Sequence, residues 1–158
     1  MKINRENRLR FYYGCHVVMD AMEDMNKKRK IEKKAPIGVC VKVSSLRPRH
    51  PDLEAWMKNN KHELVCRHGR VFVGSGETKH VFHYPTHEFS NPFTVKEYGL
   101  EECLRLFENH LTEMLKDESV RKRFQQLGEC EEIGCFCNPG SKCHRDVILR
   151  KLNAIKNE

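Results

Sequence analysis

From position 37 onward, short runs of branched aliphatic residues alternate with helix-spaced apolar residues, the pattern of an α/β chain. The run IGVCVKVSS, residues 37–45, is rich in β-branched residues and short enough for a buried strand, and GRVFVGSG, residues 69–76, reads as another. Between them, SLRPRHPDLEAWMKNN gives a proline-bounded loop and a short helix capped by Asp52, so the three pieces form a strand, helix, strand unit. Residues 77–98 hold two prolines, a Ser-Asn-Pro turn and three histidines, and read as a long loop that lines a site.

Leu100, Cys103, Leu104, Phe107, Leu111, Met114 and Leu115 share one helical face, which predicts a helix over 99–116 with Cys103 buried as a small hydrophobe. A second helical piece over 118–127 meets a glycine cap at Gly128. EEIGCFC, residues 131–137, reads as a strand, NPGSK as a loop, and CHRDVILRKLNAIK as the last helix.

The first 36 residues follow a different pattern. Phe11, Cys15, Val18, Met22 and Met25 recur at spacings of four, three, four and three, one stripe of a helix. The run KKRKIEKK, from Lys27 to Lys34, follows with six cations in eight residues, and Ala35-Pro36 closes the segment. The expected organisation is a basic amphipathic helical extension over 1–36 and one α/β domain over 37–158, with a small, mainly parallel sheet flanked by helices. The stripe spans barely two heptads and Gly14 interrupts it, so packing on the chain's own domain is favoured; a homo-oligomer seam is the alternative.

Composition narrows the function classes. The chain has 158 residues, 39% of them hydrophobic, enough for one core. No stretch reaches the run of about eighteen apolar residues that a membrane span needs, and the start lacks a signal-peptide hydrophobic region. An intracellular protein, cytoplasmic or nuclear, is expected. In such a compartment eight cysteines point to metal or thiol reactivity more than to disulfides. The net charge of +7 is concentrated: residues 1–34 carry ten Lys or Arg against five Asp or Glu, leaving only +2 for the rest. Lys27 to Lys34 is therefore the expected contact for nucleic acid or an acidic protein, with a solvated helix end as the plainer reading.

The chemistry gathers at GCFCNPGSKCHR. Residues two apart on a strand face the same way, so Cys135 and Cys137 project together, and the loop returns Cys143 and His144 at a helix start. These four are the candidate metal ligands, and zinc is the candidate cofactor because it takes thiolate and imidazole in tetrahedral sites. The spacing C-x-C-x5-C-H lacks the two-residue gap of a zinc knuckle. Without metal, the helix N-terminus favours anions and acidifies a thiol, making Cys143 the candidate nucleophile and Cys137 its alternate. Arg145 is either an anion clamp or a surface cation, and Asp146 complements the helix dipole. Cys130 and the Cys66-Arg67-His68 segment hold further donors, with no pattern that brings them near. His80, His83 and His87 read as solvated loop histidines. A phosphatase-type thiol loop needs arginine where Cys143 stands, and no glycine-rich phosphate loop of the Walker type is present.

VFVGSG, FSNPFTVKEYGLEECLRLFENHL and IGCFCNPGSKCHRDVIL together resemble the domain-of-unknown-function family 4326. The resemblance runs from about Val39 to Leu152 and rests on Arg47, Gly74, Asn91, Pro92, Phe93, Cys135, Cys137, Cys143 and His144. It implies an α/β domain with a polar site at a strand end, and so ligand-binding roles for Arg47, Gly74, Asn91, His144 and Arg145. Three positions depart from the family pattern: Ser75 stands for an arginine, Ser90 for a glycine, and Phe136 for a tryptophan. The Cys-His-Arg ending is also similar to that of family 488, likewise of unknown function. Both families are identified with bacteria, phages and large DNA viruses.

Three function classes follow. One is a metal-binding or anion-binding module associated with nucleic acid or nucleotides. Another is a thiol-dependent enzyme acting on a nucleotide-like anion. The third is a structural or assembly protein, of viral type and carried in a virion.

Overall fold

The computed structural model of the protein describes residues 34–157. The N-terminal helical stripe and all of the basic run except Lys34 lie outside the described residues.

A three-stranded parallel sheet carries the domain. Its middle strand is β5 (Glu132–Cys135), with β1 (Ile37–Cys40) on one side and β2 (His62–Leu64) on the other. All four residues of β5 are buried, as a strand covered on both faces must be. Ile133 enters a core with Phe107, Leu111, Phe124 and Ile148. Those residues come from three helices: α4 (Leu100–Met114), α5 (Glu118–Gln126) and α6 (His144–Lys156). The other face carries a smaller core of Val41, Leu46, Leu53, Trp56 and Leu64, built around α1 (Val43–Leu46) and α2 (Leu53–Met57). Gly134 lets that second core close, because a Cβ there would stand 2.5 Å from Val41 Cγ1 and 2.6 Å from the Trp56 ring.

The fold class is the expected one, while several elements differ. The first strand stops at Cys40; Val41 still donates its N–H to Cys135 O, and Val43–Leu46 then turns into helix. The strand that completes the β1, helix, strand unit is β2, a three-residue piece with no β-branched residue to announce it. GRVFV is β3 (Gly69–Val73), and it leaves the parallel sheet to pair antiparallel with β4 (His80–Tyr84). The expected loop over 77–98 thus begins with a 3-10 turn (Gly76–Thr78) and a strand, then holds a short helix, α3 (Val95–Tyr98). Its alternation, His80 and Phe82 and Tyr84 against Val81 and His83, was masked by the histidines.

Asp52 caps α2 as read: Oδ1 accepts the Ala55 N–H at 3.0 Å. Oδ2 also accepts the Gly74 N–H at 3.1 Å, tying the hairpin to the helix. Gly128 is not a left-handed cap. It sits inside a 3-10 turn (Leu127–Glu129) that continues α5, and among the described residues the glycines with positive φ are Gly74, Gly76, Gly99 and Gly140.

Candidate metal centre

β5 ends at Cys135 and α6 starts at His144, so the intervening loop must double back over the carboxyl end of the sheet. Cys135 and Cys137 project to the same side, their sulfurs 3.4 Å apart. Phe136 faces away and stacks on Tyr84 at 5.6 Å between ring centroids. Cys143 caps α6, its Sγ accepting the Arg145 N–H.

His144 completes the set. Its Nε2–H donates to Val65 O at 2.7 Å. That bond leaves the Nδ1 lone pair facing Cys135 Sγ at 3.8 Å and Cys143 Sγ at 3.7 Å. A backbone carbonyl fixing one imidazole nitrogen so that the other points at a metal is the usual support of a histidine ligand. Zinc binds thiolate at about 2.3 Å and imidazole near 2.0 Å, so tetrahedral donors lie roughly 3.5 to 3.8 Å apart. The donor atoms of Cys135, Cys137, Cys143 and His144 all lie within 4.8 Å of one another. These four residues could together hold a metal ion.

The four side chains also perturb one another's protonation. Hydrogen bonds from Cys135 and then Cys143 pull the Cys137 thiol far below the ordinary range. The bond to Cys137 raises Cys135, and bonds to Cys135 and Cys137 raise Cys143, because a second and third thiolate would sit against the first. Within the cluster, then, Cys137 is the thiol held low, and Cys135 and Cys143 are held high. Burial disfavours the imidazolium of His144, yet hydrogen bonds to Cys137 and Cys143 push it up to about 9. A bound cation would replace these mutual contacts.

A cavity of about 420 Å³ opens beside the cluster, bordered by Tyr84, Asn91, Phe93 and Lys142. The structure also brings in Cys66, which the sequence left unplaced. Its thiol is lowered chiefly by a hydrogen bond with Cys135, against the effect of burial. Arg67 and His68 follow it into the cavity wall. Only the β2-to-β3 turn, invisible as such in the sequence, could have placed them there.

The remaining expected site residues divide. Asn91 lines the cavity, but its amide is engaged: Nδ2 donates to Cys103 Sγ at 3.2 Å and Oδ1 accepts the Phe93 N–H at 2.9 Å. Arg47 lies outside the cavity wall and donates to Pro51 O. Gly74 serves the hairpin turn at φ +77°, where a Cβ would strike Thr78 O. Arg145 turns its buried side chain toward Gly38 of β1 and pairs with Asp146, so it is neither a surface cation nor part of the cavity wall. Cys130 is half-buried beside the helical core. His80 pairs with Glu54, His87 approaches Glu63, and no metal-capable group among the described residues includes either, or His83.

The fold and the site define an α/β domain with a thiol and imidazole cluster where the middle strand hands over to a helix. A family described as Domain of unknown function (DUF4326) matches residues 51–154. That span is well over half of the chain, and the chain belongs to this family. No curated protein and no solved structure matches it. The match starts beyond Arg47, which leaves the resemblance of the first strand and that arginine outside it. Among the described residues no helix is long and apolar enough to cross a membrane.

Proposed function

We propose that the protein is a zinc-binding module, with the ion held by Cys135, Cys137, Cys143 and His144. The observation that carries this reading is the His144 bond to Val65 O, which aims Nδ1 at two sulfurs. Four protein ligands make a closed site, and closed sites contribute folding energy rather than a reactive water. The ion would join the end of β5 to the start of α6.

Elemental analysis of the untagged chain tests the reading. About one equivalent of zinc or more is expected, with some thiols reacting only after chelation. Cys143→Ser is expected to lose that zinc and to lower the melting temperature sharply. A metal-free wild type with all eight thiols free, or an unchanged melt in the variant, would overturn it.

A second reading is a thiol-dependent activity on an anionic, nucleotide-like molecule. It is favoured by the acidified, half-buried Cys137 at the cavity and by Lys142 and Arg67 on its wall. A single fast reaction of Cys137 with iodoacetamide in metal-free protein would support it. For partners, the proposal is that the basic run from Lys27 to Lys34 contacts nucleic acid. An assembly role through the N-terminal stripe is the third reading, tested by the oligomeric state after removal of residues 1–34.

A further inference from the structure

The amino end of β5 presents a second group of ligand-type side chains, at the opposite end of the strand from the cysteines. Glu132 is the first residue of β5, and His62 is the first residue of its neighbour β2. His50, from the loop after α1, reaches the same point, its ring edge-on to His62 with centroids 5.6 Å apart. The three donor atoms lie within 4.8 Å of one another.

Hydrogen bonds define the His62 tautomer. Asn59 Oδ1 accepts the Lys61 N–H at 3.0 Å, which turns the Asn59 Nδ2 toward His62 Nε2 at 3.1 Å. An amide NH2 only donates, so Nε2 carries the lone pair and Nδ1 carries the proton. Nδ1–H in turn donates to Trp56 O at 2.9 Å. The same Trp56 stacks on the imidazole at 4.8 Å and donates its Nε1–H to Glu132 Oε2 at 2.7 Å. One fully buried tryptophan therefore orients both a histidine, through its backbone carbonyl, and a carboxylate, through its indole. Supporting bonds of these two kinds are those that metal ligands receive.

We propose that His50, His62 and Glu132 form a second metal site, for a divalent transition-metal ion held by two imidazoles and one carboxylate. His62 and Glu132 have side chains only 5% and 7% exposed, and His62 Nε2 stands 3.9 Å from Glu132 Oε2. Besides the Trp56 indole, two contacts occupy these donors now. Arg49 Nη1 bonds Glu132 Oε1, and its side chain is 56% exposed, so it swings into water at little cost. Asn59 Nδ2 gives up one neutral hydrogen bond. Both side chains keep the donors aligned until the cation takes their place. The site differs in kind from the cysteine cluster: three protein ligands of nitrogen and oxygen leave coordination positions open, as in exchangeable and catalytic sites.

The test uses the full chain, stripped by a chelator and titrated with zinc against a chromophoric chelator, alongside His50→Ala, Glu132→Gln and Cys137→Ser. His50 is only part-buried, so His50→Ala keeps the fold, with circular dichroism as the check. The wild type is expected to bind about two zinc ions, each single-site loss removing one or weakening it by ~10-fold or more. Cobalt(II) adds a separate readout: the ion lost in His50→Ala carries no thiolate charge-transfer band, and Cys137→Ser retains it. Zinc number and affinity unchanged in both His50→Ala and Glu132→Gln would overturn the proposal. A wild type that binds one ion, lost in Cys137→Ser alone, also overturns it and leaves the cysteine site standing; one ion lost in His50→Ala alone supports it and removes the cysteine site instead.

Discussion

Single atoms set the limits of this fold, and Gly134 shows how tightly. The methyl group of Gly134→Ala would stand 2.5 Å from Val41 Cγ1 and 2.6 Å from the Trp56 ring, closer than carbon atoms approach, so its surroundings must shift. Overpacking of this kind costs about 1–3 kcal/mol, and urea denaturation should show a loss in that range. His87 sets a pH limit. Its Nδ1 accepts the Phe89 N–H at 3.1 Å, a bond that needs the neutral ring. Burial lowers its pKa below the usual value of 6.5, while Glu63 and Glu88 pull weakly the other way. The folded state therefore resists a proton that the unfolded chain accepts. Its contribution is fully present above about pH 6.5 and is lost as pH falls through the folded value. Urea midpoints measured from about pH 7 to pH 5 should decline in the wild type, and His87→Gln should flatten that decline.

At the scale of elements, the cap of α2 does more than end a helix. Asp52 satisfies Ala55 of its own helix and Gly74 of the hairpin turn with its two oxygens. Asp52→Ala is expected to cost about 1 kcal/mol or somewhat more, the range for losing a side-chain cap, whereas Asp52→Asn should retain most of it. Chemical denaturation of the two variants separates the outcomes; equal losses would show that charge alone matters. Helices were the legible elements. Cys103, Phe107 and Leu111 recur at helical spacing and are the residues that α4 buries, because an amphipathic helix writes its own buried face into its sequence. Strands were less legible. β2 has three residues and no periodicity to read, and β4 was hidden because polar histidines occupy positions on both its faces. GRVFV was visible as a strand, yet its partner was not, since pairing is decided by what lies alongside.

For the whole molecule, charge and chemistry separate. The basic run lies in the first 34 residues, whereas Ala35–Glu158 forms a compact unit of its own. Nucleic-acid binding through that run predicts that replacing its six cations with neutral residues lowers affinity and flattens the dependence on salt, since each neutralised phosphate releases counterions. The same slope of log affinity against log salt in both proteins would refute the contact. The sequence by itself determined the α/β class, the Asp52 cap and the buried face of α4, and it offered Cys135, Cys137, Cys143 and His144 as ligands able to converge. Those are local facts, set by dihedral periods and by a loop of a few residues. The structure alone decided that Cys66 lines the cavity beside the cluster, that Val65 O orients His144, that Arg145 is buried against Gly38, and that His50 and His62 meet Glu132. Each of these joins residues far apart in sequence, and only the packing of β1, β5 and β2 side by side fixes those distances.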